Sequence, residues 1–351
     1  MAVSIPIRNI WWLMLFASDA SGIILSSKRK VEDIEENLPD LVADLLIEEV
    51  SRRFRQKLSV DYTSFDAELY RVRGRIKFLD TARKSLLSRG KIAVRFSKIT
   101  HDTDVNRLTL FALRQLSRVV SKGRRSGLRT SIGKLKSVGV NDLVSSFHID
   151  RVFAKGKADL RLVSLSKLAM SLQLISETQG NQKFYEVKKD ETWLRTLFET
   201  AICGFFKYHL KHPEWKVSGG SKFPWNLSDE TDGFKIFMPQ METDIEIVNF
   251  YNHSKLIIDT KFTSVVTQGV WKETFKSNHF YQLNAYLDAN KQLSKLRGEV
   301  AHLEGMLLYP SVGVDFSESA VLDGSRIRLC SVNLNSRPSE ITAQLLALVR
   351  L

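Results

Sequence analysis

Apolar side chains recur three and four positions apart over residues 38–58, at Leu38, Leu41, Val42, Leu45, Leu46, Val50 and Phe54. That spacing predicts an amphipathic helix. Pro39-Asp40 suits its first turn, and the basic stretch Arg52 to Lys57 suits the negative end of its dipole. Residues 59–80 then read as β. Tyr70 to Phe78 alternates cleanly with Gly74 as a bulge, and 91–97 alternates too. Asp102-Thr103-Asp104 is an N-cap cluster ahead of a helix over Val105–Val120. Residues 157–176 predict a further amphipathic helix. The polar run Ser176 to Lys183 is the best linker in the chain.

The second half opens on a long helix, about 190–211, with Trp193, Leu194, Leu197, Phe198, Ile202, Phe205 and Phe206 on its apolar side and Glu199 on its flank. An aromatic-rich loop, 212–225, follows. A hairpin comes next. Asp244 opens the alternating run Asp-Ile-Glu-Ile-Val, Tyr251 to Ser254 turns, and Leu256-Ile257-Ile258 runs into Asp259-Thr260-Lys261. A helix at about 278–295 carries Gln282 and Tyr286 four apart, hence on one face. Strands at 305–309 and 326–332 and a helix at 339–350 complete the order. Helix, hairpin, helix, strand, strand, helix predicts a three-layer α/β domain on a mixed sheet, with the hairpin at an exposed edge.

Side chains alternate along a strand, so Ile257, Asp259 and Lys261 share a face, and a paired hairpin brings Asp244 toward Asp259. Two carboxylates and an ammonium suit metal-assisted phosphodiester hydrolysis. Mg²⁺ takes few protein carboxylates and keeps several waters, and a fixed cation stabilises charge building on the phosphate. The same residues also read as a surface hairpin bearing an Asp–Lys pair.

Composition narrows the partners. A net charge of +13 over 351 residues favours a polyanion, nucleic acid before membrane. Two cysteines, Cys203 and Cys330, exclude a disulfide framework or a zinc cluster and fit a cytoplasmic protein. No run is long enough to span a bilayer. The apolar stretch Ile10 to Ala17 is at the short end for a signal peptide and contains Trp-Trp, so it reads as a buried helix or strand. Between Val105 and Asn141 there is no acidic residue except at the flanks of that span. Arg124, Arg125, Arg129, Lys134 and Lys136 lie there, with Gly123, Gly127, Gly133 and Gly139 suggesting a loop-rich connection. It reads either as an arm contacting DNA or a partner, or as a solvated helix end and loop.

Taken together, Glu199, Asp244, Asp259-Thr260-Lys261 and Gln282 to Tyr286 resemble the PD-(D/E)XK nuclease superfamily in its RecB-like branch. Ile5-Pro6-Ile7-Arg8-Asn9-Ile10-Trp11-Trp12, Gly74 to Phe78, Asp104 to Arg107 and Pro239 to Ile245 narrow the resemblance to the McrC family of the McrBC modification-dependent restriction systems. Gln240 stands where many members have Arg, which removes no metal ligand. Residues 114–140 match little in the family.

The resemblance implies a partner-binding N-terminal domain, 1–180, of α+β character with an extended arm, and a PD-(D/E)XK endonuclease domain, 181–351. Asp244, Asp259 and Lys261 would be catalytic. Mg²⁺ would be held by Asp244, Asp259, the Thr260 carbonyl and Glu199, with Gln282 and Tyr286 bracing the site or touching DNA. The partner would be the hexameric AAA+ GTPase McrB, which binds the GTP. Consistently, this chain has no phosphate-binding Gly-x-x-x-x-Gly-Lys loop. The substrate would be double-stranded DNA with modified cytosine, and nuclease subunits would self-associate in the active complex. Two other readings stand beside this one. One is a stand-alone RecB- or Cas4-like exonuclease, against which the two distant cysteines count, because a Cas4-type iron–sulfur cluster needs more. The other is a non-catalytic GTPase-activating regulator.

Overall fold

The computed structural model describes residues 4–26, 37–143, 148–154, 156–179, 184–186, 191–223, 231–238, 240–262, 277–297, 302–311 and 315–349. In chain order they form β1 (Ser4–Pro6), α1 (Ile7–Ala17), α2 (Ser21–Leu25), α3 (Leu38–Gln56), β2 (Asp61–Leu69), β3 (Arg75–Ile76), α4 (Phe78–Arg83) and β4 (Ile92–Thr100). Next come α5 (Asp104–Val119), α6 (Arg125–Ser137), α7 (Lys157–Gln179), β5 (Phe184–Glu186), α8 (Glu191–His209), β6 (Trp215–Phe223) and α9 (Asp232–Phe237). The chain ends with β7 (Met241–Asn249), β8 (Ser254–Thr260), α10 (Ser277–Arg297), β9 (His302–Ser311), β10 (Ser317–Leu322), β11 (Ser325–Asn333) and α11 (Pro338–Leu348).

These elements fall into two compact units. One is Met1–Leu38 with Ile175–Leu351, and the other is Pro39–Leu174. This differs from a single division at 180, because the first 38 residues pack with the C-terminal half. The reason is physical and long-range. β1 pairs antiparallel with β5, and α1 lies along α8. The rings of Trp12 and Phe16 sit 5.6 and 5.1 Å from that of Phe205. Buried Asn9 donates through Nδ2 to the carbonyls of Leu334 (2.7 Å) and Ser336 (2.9 Å). Its amide thereby satisfies backbone groups that would otherwise be buried unpaired. The apolar stretch Ile10 to Ala17 is therefore a buried helix.

Gly204 makes the α1–α8 crossing possible. A Cβ there would lie 1.9 Å from the Phe16 carbonyl oxygen, so only hydrogen fits. We predict that Gly204→Ala forces the helices apart and lowers stability in urea denaturation by at least the ~1–3 kcal/mol typical of overpacking. An unchanged midpoint would show that the crossing tolerates a side chain.

In this unit a six-stranded mixed sheet has the order β10-β11-β9-β8-β7-β6. β8, β9 and β11 are parallel, and the other pairs are antiparallel. The register assigns the faces. Gly219, Ile245 and Ile258 are directly paired and share a face. A Cβ at Gly219 would lie 2.7 Å from Cys203 Sγ, so that face carries α8. Ile257 points the other way and joins Leu283, Tyr286 and Leu287 of α10 in one buried cluster. Helices therefore cover both faces, as the element order predicts. The hairpin β7–β8 is not at an edge, however. β6 shields it, and this strand occupies most of the stretch expected to be a loop. The true edge at the other end is β10, which the sequence pattern does not announce.

The unit Pro39–Leu174 packs α3, α5, α6 and α7 and carries a three-stranded antiparallel sheet of order β2-β4-β3. Thr103 caps α5 by accepting the Asn106 N–H. Two expectations change here. Residues 70–78 are not one strand. The chain bends after Leu69, and Gly74 adopts φ +73°, where a Cβ would lie 2.4 Å from the Arg95 carbonyl. The basic, glycine-containing stretch is mostly helix α6, because Leu128, Ser131 and Leu135 recur at helical spacing and are buried. Of the expected linker, 176–179 belong to α7, and 180–183 lie outside the described residues.

Candidate active site

The β7–β8 ladder ends at the pair Ile245–Ile258. One residue further the strands fork, and the Asp244 side chain enters the fork. Its Oδ2 accepts the Thr260 N–H at 2.7 Å and the Thr260 hydroxyl at 2.8 Å. A carboxylate thus replaces a strand carbonyl, which fixes Asp244 against the segment that carries Asp259. Asp259 itself lies in the parallel ladder opposite Leu307, on the α10 face, and is fully buried.

Asp259 is the anomaly of the site. Its Oδ2 is paired with Lys261 Nζ at 2.7 Å, and its Oδ1 has no hydrogen-bond partner among the described residues. Burial pushes its carboxyl up to about 7. Lys261 opposes that rise, while Asp244 and Glu199 add to it. Buried carboxylates ordinarily find donors for both oxygens, so one met by a single ammonium leaves room for a further partner. Lys261 Nζ also donates to Gln282 Oε1 (2.9 Å), and Gln282 Nε2 donates to the Tyr286 hydroxyl (2.7 Å). That chain aims the ammonium from α10, whose Leu283 and Leu287 anchor the helix in the core.

Glu199 on α8 is half-buried. Burial raises its pKa first, then the charges of Asp244 and Glu242, with Lys261 opposing. It therefore lies within electrostatic reach of the other two acids. Among the described residues no group of three or more His, Cys, Asp or Glu side chains stands ready to hold a metal ion. The donor set is two hard carboxylates with backbone oxygen beside them, which suits a cation that keeps most of its water.

The structure thus brings Asp244, Asp259, Thr260, Lys261, Gln282 and Tyr286 together, with Glu199 alongside. The basic stretch lies on α6 of the other unit. There Arg124 is paired with Asp44 (3.3 Å) and Lys136 with Asp142 (3.2 Å), while Arg129 and Lys134 are exposed and Arg125 is half-buried. Pro239 of the nuclease-like motif lies outside the described residues. The sequence pattern gave no weight to the rest of the ridge that Glu199 begins. Glu199, Cys203, Lys207 and Lys211 follow at intervals of four, a spacing that signals one shared face.

Comparison with known proteins adds four findings. A family model described as "McrBC 5-methylcytosine restriction system component" matches residues 7–310. The Escherichia coli (strain K12) protein named "Type IV methyl-directed restriction enzyme EcoKMcrBC" is 27% identical over 339 residues, covering 94% of this chain and 93% of that one. Among solved structures, a chain in a half-complex of Thermococcus gammatolerans McrB AAA+ hexamers with bound McrC is similar at a TM-score of 0.46 and 13% identity, over 96% of this chain and 76% of that chain. A chain of the cryo-EM structure of the Thermococcus gammatolerans McrBC complex is similar at a TM-score of 0.36 and 15% identity, over 58% and 69% of the two chains.

Proposed function

This chain belongs to the family of McrBC 5-methylcytosine restriction system components, and from that membership we propose that it is the DNA endonuclease subunit, of PD-(D/E)XK type. It works in the cytoplasm with a hexameric AAA+ GTPase of the McrB kind and cuts double-stranded DNA containing modified cytosine. The observation that carries the proposal is Asp259: fully buried, met only by the Lys261 ammonium, and beside the Asp244 fork.

Asp244, Asp259 and the Thr260 carbonyl would hold Mg²⁺, with Glu199 as the neighbouring third carboxylate. The bound ion would supply a water of lowered pKa and would neutralise charge on the phosphate. The chain's own residues do the rest. Lys261 orients the attacking water and stabilises the charge that builds on the phosphoryl oxygens. Gln282, held by Tyr286, fixes the ammonium in place. Thr260 holds Asp244 rigid through two donated hydrogen bonds.

The unit Pro39–Leu174 is proposed to engage the GTPase ring and stimulate its turnover. Its three-stranded sheet supports that role better than α6 does, since Tyr62, Phe65, Tyr70, Phe78 and Ile99 are exposed there. Solvent-facing aromatic side chains in such number mark an interaction surface. The test is to copurify this chain with a GTPase of the McrB kind and to measure GTP turnover and cleavage of methylated duplex with and without Mg²⁺. Joint dependence on GTP, methylation and metal is expected. DNA degradation by this chain alone would instead favour the exonuclease reading. GTPase stimulation without any cleavage would leave only the regulator.

A further inference from the structure

Beside the site, an open cleft of about 530 Å³ runs along α8 within the unit that holds the catalytic residues. Its two ends differ in charge. Glu199 and Asp244 line one end, and Lys207 and Lys211 line the other. Its floor opposite Asp244 is the Gly219–Gly220 segment of β6, which presents no side chain. A Cβ at Gly219 would strike Cys203 Sγ, and Gly220 has φ +63°, so neither position readily accepts a larger residue. Bare backbone at a cleft floor lets an extended ligand backbone approach closely.

Lys207 and Lys211 are exposed, and among the described residues neither is ion-paired with a carboxylate. Lys211 Nζ sits 4.3 Å over the Tyr208 ring, which holds it toward the wall formed by α1 and α2. One acid, Asp19, also lines that wall. Glu199 and Lys207 are eight residues apart on one helix, a rise of about 12 Å at ~1.5 Å per residue.

We infer that this cleft seats the sugar–phosphate backbone of the cut strand beyond the scissile bond, with Lys207 and Lys211 each neutralising one non-scissile phosphate. The inference rests on the nuclease reading and adds the path by which the strand leaves the carboxylates. The acidic end takes the cation and the phosphate being cut, and the basic end grips the strand. Selectivity for DNA thereby comes from backbone charge, independent of base sequence.

The test measures binding of a fluorescein-labelled duplex to the full chain in Ca²⁺ buffer across a salt series. Each phosphate contact contributes about 0.9 to the slope of log affinity against log salt, so Lys207→Ala/Lys211→Ala is expected to flatten it by about 1.8. Lys216→Ala/Lys291→Ala removes the same net charge outside the cleft and is expected to leave the slope unchanged. Lys207→Gln/Lys211→Gln keeps the aliphatic stems and is expected to match the alanine pair, which separates charge loss from loosened packing. Equal slopes for the cleft and control variants, or no duplex binding by the wild-type chain, would overturn the inference. Cleavage by the wild type together with an unchanged slope sinks the cleft alone. A flattened slope with no cleavage even when the GTPase partner, GTP and Mg²⁺ are present sinks the nuclease reading and leaves the cleft as a DNA contact.

Discussion

Lys261→Ala is expected to reduce cleavage of methylated duplex by about 10²–10³-fold, the loss typical of removing one fixed group that stabilises developing charge. Asp259→Ala is expected to abolish cleavage. Both variants should still stimulate the GTPase partner, because that role is proposed for the separate unit Pro39–Leu174. Lys261 is a good target because its ammonium is held on two sides, by Asp259 and by Gln282. Gln282→Ala should therefore give a smaller loss in the same direction, by freeing the ammonium rather than deleting it. The measurement is single-turnover cutting with the partner in excess, alongside GTP hydrolysis. Undiminished cutting by the Lys261 variant would remove that residue from the chemistry. Loss of GTPase stimulation from a folded variant would show that the two activities are not divided between the units.

Asp259→Asn is expected to make the metal-free chain more stable. The sign follows from the direction of the shift. Burial raises the folded carboxyl to about 7, whereas an unfolded Asp titrates near 3.9. The folded state thus keeps its proton longer than the unfolded state. Stability is highest below the unfolded value and falls as pH climbs toward about 7, by something on the order of 4 kcal/mol. Asparagine stays neutral throughout and avoids that fall. In EDTA at pH 8 the variant should outlast the wild type in urea, and the gap should shrink toward pH 4. Millimolar Mg²⁺ should raise the melting temperature of the wild type and leave the variant unmoved. A variant less stable than the wild type at pH 8 in EDTA would mean that the carboxylate is satisfied by a donor after all. Strain of this kind, kept for function at a cost in stability, is common where a site awaits its ligand.

The clustering of these side chains was legible in the sequence because it sits in short-range patterns. Asp259 and Lys261 share a strand face by alternation alone, and Gln282 and Tyr286 share a helix face by their spacing of four. The boundaries of α3, α5, α8 and α10 followed from apolar periodicity. What escaped depends on contacts distant in the chain. β6 lies in what reads as an aromatic-rich loop, and its Gly219 faces Cys203 of α8, which leaves no room for a side chain. Missing β6 put the hairpin at an edge when it lies inside the sheet. The glycines of α6 suggested a broken connection, and buried Leu128 and Leu135 outweighed them. Nor does any local signal in residues 4–17 say that they pair with Phe184–Glu186 and lie along α8.

That last arrangement has a consequence in time. β1 and α1 emerge before their partners, β5 and α8, which are made some 180 residues later. At about 5–20 residues per second that is a wait of roughly 10–35 s on the ribosome. The intervening unit can settle meanwhile, while the cutting centre stays unassembled until Asp244, Asp259 and the strands beside them have been translated. A message broken early, or a prematurely terminated product, would therefore yield a fragment without the proposed site.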